Sequence, residues 1–404
     1  MEQALAGVKV LDLTWYIAGP YATKLMADYG AEVIKVERPG EGDAARKMGP
    51  FPNDEPHLEK SALFLHLNTN KKSITLNLKT QTGQKVIKEL VKRVDILVES
   101  FSPGTMARWG LDYETLARIN PRLVMASITN FGQFGPYRDF KASDIVILAM
   151  GGDMYTNGVY EREPLKYGLN VALYMAGSSA AVGIMGAYYG AKYSGSGGQQ
   201  VDISLMECLD SSTDRRTTNL VGYQYCGHQD IRASETSRGL IGGVFPCKDG
   251  YFALQGGGVL WPRTVRLLGA PELAKPPWGT PQSWADQKLK EELHTKWWLP
   301  WLAARTKLEC WLAAEKEGLL SGPLNTTEEV LKDFHLKGRG VWKEVDHPAA
   351  GPFVYSGAPF IMDECPWQVK RPAPLLGQHN DEVYCELLGY SKQDLTLLRQ
   401  QGVI

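Results

Sequence analysis

The stretch Val8-Lys-Val-Leu-Asp-Leu13, followed after a gap by Glu32-Val-Ile-Lys-Val-Glu37, decides the fold class. Both segments are short, apolar and rich in β-branched residues, which predicts two buried strands. Gly19-Pro20 opens the segment between them, and we predict a helix from there to about Tyr29. A strand, a helix and a second strand in this order indicate a parallel sheet with crossover helices.

The same pattern recurs further along the chain. Strands are predicted at 73–78, 95–99, 123–128 and 200–204, with one helix at about 83–93 and another that ends near Ile119. Gly195-Ser-Gly-Gly198 predicts a tight turn before the last of these strands. We therefore predict a large Rossmann-like α/β domain in the first part of the chain.

Composition and charge exclude several classes of protein. The 404 residues are 44% hydrophobic and 22% charged, which indicates a globular protein with more than one core. Lys and Arg number 44 against 45 Asp and Glu, and this balance argues against nucleic acid as a partner. Six scattered cysteines without a CxxC pair are typical of reduced thiols in a cytoplasmic protein. The start of the chain lacks the pattern of a signal peptide, so we expect a cytoplasmic location.

One uncharged segment, 171–191, is about long enough to cross a bilayer and contains Gly186-x-x-x-Gly190. The segment is rich in Gly, Ala, Ser and Tyr rather than in Leu and Ile. Soluble helices that are buried on all sides share this composition. We therefore predict a buried helix and no membrane association.

The chain is predicted to fold as two domains joined by two linkers. The segments are 1–224 for the first part of the large domain, 225–238 for a linker, 239–325 for a small α+β domain, 326–350 for a second linker, and 351–404 for a C-terminal segment that completes the large domain. The small domain opens with a hairpin that turns at Asp249-Gly250. Its seven tryptophans favour core and interface packing over a substrate cage.

The sequence contains no Walker loop, no GxGxxG after a strand, no HExxH and no GxSxG. His379 and Glu382 have the spacing of a metal-binding pair, but no third ligand is near them in the sequence. A local capping role at the final helix is favoured instead, and no metal is predicted.

A series of motifs resembles the class III CoA-transferases over nearly the full length of the chain. One block alone would be weak evidence, whereas this number of blocks in order is strong. The blocks are Leu5-Ala-Gly-Val-Lys-Val-Leu-Asp-Leu-Thr14, Ala18-Gly-Pro-Tyr-Ala-Thr23, Gly30-Ala-Glu-Val-Ile-Lys-Val-Glu-Arg-Pro39 with Gly42-Asp43, Asn70-Lys-Lys-Ser-Ile-Thr-Leu-Asn-Leu-Lys79, Val98-Glu-Ser-Phe-Ser-Pro-Gly104, Asn120-Pro-Arg-Leu123, Gly132-Gln-Phe-Gly-Pro-Tyr137 and Leu376-Gly-Gln-His-Asn-Asp-Glu-Val383.

The resemblance implies a large α/β domain, a small domain and two subunits that interlock as an obligate dimer. It also implies that coenzyme A or acyl-CoA is a substrate and that no cofactor is bound covalently. The positions that match the family's CoA site are Arg38, Leu76, Lys79, Ser100, Phe101, Arg108 and Lys141. Arg and Lys suit the CoA phosphates. The loop 15–17 matches the loop that lines the thioester end.

The chain departs from the family at its nucleophile. The family places an Asp four residues before the Gly that matches Gly177, and this chain has Leu173 there. A carboxylate can attack a thioester and carry the acyl group as an anhydride, whereas Leu can do neither. The related acyl-CoA racemases use a His-Asp pair, and here that pair is Ser143-Asp144. No catalytic residue is therefore assigned.

Other candidates near this position are weaker. Asp153, Glu161 and Glu163 lie nearby in sequence, but any of them would need a displaced backbone to replace the nucleophile. Ser178 and Ser179 lack a neighbouring base and are predicted to pack within the helix. Gly256-Gly-Gly258 matches a mobile loop that shields the reactive anhydride in some members, or is a plain hairpin exit.

Three functional hypotheses follow. The chain is the non-catalytic subunit of a heteromeric CoA-transferase whose homologous partner keeps the Asp, and resemblance to heteromeric members implies succinyl-CoA as donor and (R)-benzylsuccinate as acceptor. Alternatively, it is a stand-alone CoA or acyl-CoA binding protein, or an active homodimer that uses a shifted carboxylate. The first hypothesis is favoured because the CoA-site residues are retained.

Overall fold

The computed structural model describes residues 2–212, 214–227, 229, 232, 240–281, 283 and 286–404. These residues form two compact units. The large unit comprises Met1–Met154, Lys166–Gln229 and Gly338–Ile404, and the small unit comprises Tyr155–Leu165 and Asp230–Lys337. Most of the predicted linker at 225–238 lies outside the described residues.

A six-stranded parallel sheet forms the centre of the large unit. Its strands are β1 (Lys9–Leu13), β2 (Glu32–Glu37), β3 (Lys72–Thr75), β4 (Ile96–Glu99), β5 (Val124–Thr129) and β6 (Gln200–Ser204). The order across the sheet is β3-β2-β1-β4-β5-β6, and every neighbouring pair is parallel. The chain changes direction across the sheet between β1 and β4. The loops after these two strands diverge and leave a crevice at their carboxyl ends.

Helices cover both faces of this sheet. They are α1 (Ala18–Asp28), α2 (Ala62–Leu67), α3 (Gln81–Val91), α4 (Thr105–Arg108), α5 (Tyr113–Ile119), α6 (Asp144–Met150), α7 (Val171–Tyr189), α8 (Leu205–Ser212) and α9 (Asp214–Cys226). Alternate residues of β1 divide between two cores. Val10 packs with α1, α6, α7 and α8, whereas Leu11 and Leu13 pack with α3 and α5. The large unit is therefore a three-layer α/β/α domain, and the predicted α/β fold with a parallel sheet is confirmed.

The uncharged segment forms α7, which continues through a π-helical turn at Gly190–Ser194. Together they are long and apolar enough to cross a membrane by length and composition alone, although core helices of soluble proteins meet the same test. One side of α7 packs against α1 and α8, where Ala172, Ala176, Ala180 and Ile184 are buried. The opposite side exposes Val182 and Tyr189. The sequence predicted a helix that is buried on all sides, and this prediction is wrong, because the helix is buried on one side only.

The small unit contains a three-stranded antiparallel sheet and short helices. In chain order its elements are β7 (Gly242–Cys247), β8 (Gly250–Gln255), α10 (Trp261–Leu268), α11 (Gln287–Leu293), α12 (Leu299–Ala303), α13 (Lys307–Lys316), β9 (Leu320–Pro323), α14 (Thr327–Lys332) and α15 (Phe334–Gly338). Trp261, Trp298 and Trp301 are buried in its core, and the last two stack with ring centroids 5.6 Å apart. This confirms the prediction of core packing for these three, whereas Trp284 lies outside the described residues.

The chain then returns to the large unit. A hairpin of β10 (Trp342–His347) and β11 (Gly351–Ser356) is followed by the final helix α16 (Lys392–Gln400). The region 326–350, predicted as a linker, thus contains α14, α15 and β10, which are too short to show a clear periodicity in sequence. Val403 and Ile404 are buried in the core beside α3, so the C-terminal segment packs within the large unit.

Candidate functional site

Two neighbouring clefts lie at the carboxyl ends of the parallel strands in the large unit. The first has a volume of about 560 Å³ and is lined by residues that follow β1, β2, β3 and β4. The second has a volume of about 490 Å³ and is lined by residues that follow β1, β4, β5 and β6. Both clefts share Trp15, Phe101 and Ser102, so they meet where the strand order reverses. Open α/β sheets bind ligands at this position.

The first cleft brings together four of the predicted CoA-site residues. Arg38, Leu76, Lys79 and Phe101 all line it, although they come from three different crossover units. The Arg38 guanidinium lies over the Trp15 ring, 4.0 Å from its centroid. Arg38 and Lys79 are exposed while Leu76 is buried. The cleft therefore presents cations at its mouth and apolar side chains at its floor, which suits a phosphorylated nucleotide.

Arg108 lies at the end of the short helix α4, beside the first cleft. Its Nη2 donates a hydrogen bond to Thr105 Oγ1 at 2.7 Å. Gly104, which precedes this helix, has φ of 76°, and a methyl group there would lie 3.6 Å from Arg108 Nη1 and 3.5 Å from Arg138 Nη2. Two guanidinium groups therefore converge on Gly104. Sequence reasoning missed Arg138, because it lies outside the motif positions from which the site was predicted.

The second cleft contains the remaining predicted positions. Ser100 and Lys141 line it, as does Leu173, which lies in the first turn of α7. Trp15 donates its backbone N–H to Ser100 Oγ at 3.2 Å, so Ser100 supports the loop between the two clefts. The predicted nucleophile position therefore faces the cleft with an aliphatic side chain that cannot attack a thioester.

The carboxylates that were considered as replacements for the nucleophile do not line the second cleft. Asp153 is buried, and Glu161 and Glu163 belong to the small unit. Asp144 forms an ion pair with Lys166 at 2.7 Å, which indicates a structural role. Asp139, which sequence reasoning overlooked, lines the second cleft and lies 3.5 Å from the Arg138 guanidinium.

Glu99 is a second group that the sequence did not single out. It ends β4, is 2% exposed and accepts a hydrogen bond from Phe101 N–H at 2.8 Å. Burial raises the pKa of the Glu99 carboxyl to about 7, although hydrogen bonds from Ser127 and Phe101 partly oppose this shift. Its position inside a hydrophobic strand explains why sequence patterns do not mark it as a site residue.

The other sequence candidates have local roles. Ser178 donates to Tyr174 O at 3.1 Å, as expected for helix packing. His379 Nδ1 accepts the backbone N–H of Ser73 at 3.1 Å, and Glu382 pairs with Lys72. The predicted capping role of His379 is therefore wrong, since this ring holds the C-terminal segment against β3. Within the described ranges, no three His, Cys, Asp or Glu side chains are grouped to hold a metal ion.

Comparison with known proteins agrees with this geometry. A model of CoA-transferase family III matches residues 5–380 of the chain. The chain belongs to CoA-transferase family III. Formyl-CoA:oxalate CoA-transferase of Streptomyces avermitilis is 36% identical over 427 aligned residues, with 100% of both chains covered. Succinyl-CoA–D-citramalate CoA-transferase of Chloroflexus aurantiacus is 33% identical, with 99% of this chain and 98% of that protein covered.

A solved structure supports the same family. The crystal structure of a CAIB/BAIF family protein from Brucella suis matches with a TM-score of 0.80 and 30% identity, and covers 96% of this chain and 100% of that chain. The predicted class III fold is therefore confirmed, as is CoA transfer at the level of the family. Coenzyme A enters this chemistry as a thioester substrate, as the sequence predicted.

Proposed function

We propose that this class III chain is the non-catalytic, CoA-contacting subunit of a heteromeric CoA-transferase. The observation that carries the proposal is Leu173, which lines the second cleft at the position matching the family's nucleophilic Asp. A homologous partner subunit that keeps the Asp would supply the nucleophile. This chain would contribute the fold of its own subunit and its contacts with CoA.

The proposed chemistry is covalent and takes place on the partner. The Asp carboxylate attacks the acyl-CoA carbonyl, the C–S bond breaks, and CoA leaves as a thiolate while an acyl anhydride forms. The CoA thiolate then attacks the Asp carbonyl of the anhydride, which releases the donor carboxylate and leaves an aspartyl-CoA thioester. The acceptor carboxylate attacks this thioester, so the thiolate leaves and a second anhydride forms. The thiolate finally attacks the acceptor carbonyl of that anhydride, which yields the acceptor CoA thioester and frees the Asp carboxylate. Each step exchanges one carboxylate or thiolate for another, so no oxidant, reductant or metal is needed.

The retained clefts support a role in CoA binding. Arg38 and Lys79 at the first cleft and Lys141 at the second offer cations for phosphates. Phe101 and the buried Leu76 offer an apolar surface for the adenine and the pantetheine arm. A chain that had lost every contact with CoA would have no requirement for this combination of charge and apolar surface.

For the substrates, we propose succinyl-CoA as donor and (R)-benzylsuccinate as acceptor, the reaction of succinyl-CoA:(R)-benzylsuccinate CoA-transferase, an enzyme of aromatic degradation. The motif resemblance supports this assignment, and the name of one relative that is 33% identical contains the same donor. Trp15, Tyr16, Phe101 and Phe140 line the second cleft and are compatible with a benzyl group. Assays of the complex with succinyl-CoA and benzylsuccinate, D-citramalate or oxalate test this choice directly.

The second candidate is an active homodimer in which another carboxylate replaces the nucleophile, and the position of Asp139 favours it. Its carboxylate lines the same cleft as Leu173 and is exposed, so it is accessible to a substrate. In this alternative, Asp139→Asn would abolish transfer by the chain alone. A third candidate, a stand-alone acyl-CoA binding protein, would form a stable complex with CoA but would neither turn over nor recruit a homologous chain.

Purification from the source cells followed by native mass spectrometry tests the assembly. We expect a homologous chain of similar mass with Asp at the position of Leu173. Replacing that Asp of the partner by Ala should reduce transfer by several orders of magnitude, as for loss of a covalent nucleophile. Undiminished transfer in that variant, or turnover by this chain in homogeneous form, would refute the proposal.

A further inference from the structure

We propose that Asp43 and Lys35 are positioning residues for CoA, because this buried ion pair holds the Trp15–Tyr16 turn in the shape that joins the two clefts. Neither residue touches the clefts, so the role is exercised through the backbone of the turn. The inference deepens the proposed function and rests on the CoA-contacting role proposed above.

The turn has a conformation that needs support. Tyr16 has φ of 73°, in the left-handed region that residues with a side chain seldom adopt. Its backbone N–H donates to Asp43 Oδ1 at 3.0 Å. On the other side of Trp15, the carbonyl of Thr14 accepts from Lys35 Nζ at 2.8 Å. The two charged side chains therefore hold the two backbone groups that flank Trp15.

The same two side chains pair with each other. Lys35 Nζ lies 2.7 Å from Asp43 Oδ2, and both side chains are fully buried. Burial by itself lowers the pKa of Lys35, but the carboxylates of Asp43, Asp12 and Glu37 outweigh it and raise that pKa. Lys35 is therefore held as a cation, and its ammonium group is available to donate to the turn.

Neighbouring groups fix Asp43 and the start of the turn. The Asp43 N–H donates to Glu37 Oε2 at 2.9 Å, and Arg46 pairs with the same carboxylate. Asp12 Oδ1 accepts the N–H of Thr14 at 2.9 Å. The buried charges thus extend from β1 and β2 to the turn. Asp12, Lys35 and Asp43 contact residues 14 to 16, whereas Glu37 and Arg46 support Asp43.

A contribution to stability alone does not account for this arrangement. A buried ion pair gives little net stability over an apolar pair of similar volume, because desolvation offsets the attraction. What an apolar pair cannot do is hold the N–H of Tyr16 and the carbonyl of Thr14. These contacts fix the position of the Trp15 backbone. The Trp15 ring lies beneath the Arg38 guanidinium, and its backbone N–H donates to Ser100 Oγ. Displacement of the turn would therefore disturb both clefts.

The test compares two substitutions that break buried ion pairs of similar geometry. Asp43→Asn keeps the shape of the side chain, but its amide N–H₂ must face either Lys35 or the backbone N–H groups of Tyr16 and Ala45, so each orientation sets a donor against a donor. Asp28→Asn is the control, because Asp28 pairs with the buried Lys24 at 2.6 Å at the opposite end of α1 from the turn. The readouts are CoA affinity by calorimetry, hydrogen exchange of the peptide covering 14–19, and the thermal midpoint.

We expect Asp43→Asn to weaken CoA binding by about tenfold or more and to accelerate exchange at the turn. Asp28→Asn should lower the thermal midpoint to a similar extent while leaving the CoA affinity and the exchange of the turn unchanged. If Asp43→Asn fails to fold, the double variant Lys35→Met/Asp43→Asn replaces it, because removing both partners of a buried pair is often neutral for stability. Its CoA affinity should also fall, since the turn has lost both the ammonium donor and the charged acceptor.

Two negative outcomes separate the inference from the proposed function. If the wild-type chain binds no CoA, the CoA-contacting role is wrong and the positioning role falls with it. If the wild-type chain binds CoA and both the single and the double variants bind it undiminished, only the positioning role of Asp43 and Lys35 is overturned. Equal loss of affinity in Asp43→Asn and Asp28→Asn would also overturn it, since general destabilisation would then explain the effect.

Discussion

Leu173 occupies a half-buried position in the first turn of α7 and packs partly against the core below it. An Asp at this site would need solvent or cations to stay ionised, whereas Leu contributes apolar contacts to the same core. In the proposed non-catalytic subunit, Leu173 would therefore contribute to packing and not to catalysis. Trp15, Tyr16 and Ile17 in the same cleft carry no charge. Lys141 and Arg138 also line it, so the cleft contains two cations near this position.

Leu173→Asp should restore little activity. Partial burial against apolar neighbours would raise the pKa of the new carboxyl and reduce its nucleophilicity, even though cations line the cleft. After incubation with acyl-CoA, mass spectrometry of the peptide containing residue 173 should show at most a small fraction of covalent adduct. Leu173→Asn is the control, since it has the same shape without a nucleophilic oxygen. Full turnover from the single change would show that the site was intact except for one residue.

Glu99→Gln should stabilise the protein at neutral and alkaline pH. In the folded protein burial raises the pKa of Glu99 from 4.5 to about 7, so the folded state keeps a proton that the unfolded state loses. The contribution of Glu99 to the free energy of unfolding therefore falls as the pH rises from 4.5 through 7. Gln keeps an acceptor for Phe101 N–H, and the variant should gain about 3 kcal/mol at pH 8 and almost nothing near pH 4.5.

Denaturant unfolding at both pH values measures this difference. Glu114→Gln is a suitable control, because Glu114 is exposed and lines the same cavity as Glu99. A gain that was equal at the two pH values would mean that the ionisation of Glu99 is not the cause.

At the scale of elements, the close packing of α1 and α7 places Leu173 beside the second cleft. Gly177 makes this approach possible, because a Cβ at that position would lie 2.6 Å from the carbonyl oxygen of Ala18. Ala18 also lines the second cleft, together with Leu173. The spacing between the two helices therefore sets the geometry of the site as well as the density of the core.

Gly177→Ala should lower the free energy of unfolding by about 1–3 kcal/mol, because backbone atoms rather than a flexible side chain must move. Gly186→Ala is a matched control on the same helix, where a new Cβ meets no atom within 4 Å. That control should raise stability by about 0.5–1 kcal/mol through helix propensity. Chemical denaturation of both variants gives the comparison, and equal effects would contradict the close packing of the two helices.

At the scale of the whole molecule, the first cleft is assembled from residues as distant in sequence as Trp15 and Gly402. Its charged mouth therefore depends on the entire large unit and not on one motif. The C-terminal segment contributes to this assembly, since Asn77 donates its N–H to Val403 O at 2.7 Å. Folding of the C-terminal residues and formation of the cleft are thus coupled.

Arg38→Ala should weaken CoA binding by about 1.5–3 kcal/mol, the range for hydrogen bonds to charged groups. Trp15 would also lose the guanidinium that lies over its ring. Calorimetry with CoA measures the change. Arg93→Ala serves as the control, because Arg93 precedes β4 and so lies at the amino ends of the strands, whereas the clefts lie at their carboxyl ends. Unchanged affinity in Arg38→Ala would mean that CoA phosphates bind elsewhere.

The sequence by itself determined the parallel sheet and the family, and it predicted that Leu173 stands at the position of the family's nucleophile. Strands such as Glu32–Glu37 and Gln200–Ser204 were predicted at their observed bounds, because a short apolar run between turn residues is a local signal. The chemistry of Leu173 is also local information, since a hydrocarbon side chain has no nucleophilic atom in any fold.

Only the tertiary structure decided what surrounds these positions. Strand order brought Arg38, Lys79 and Phe101 to one cleft. It also brought Asp139 and Arg138 to the cleft that Leu173 lines, and it enclosed Asp43 and Lys35 next to the Trp15–Tyr16 turn. Short elements such as β10 and α15 escaped prediction because six or five residues are too few to show a clear periodicity. Burial and charge pairing depend on distances across the fold, and a linear pattern of residues does not contain those distances.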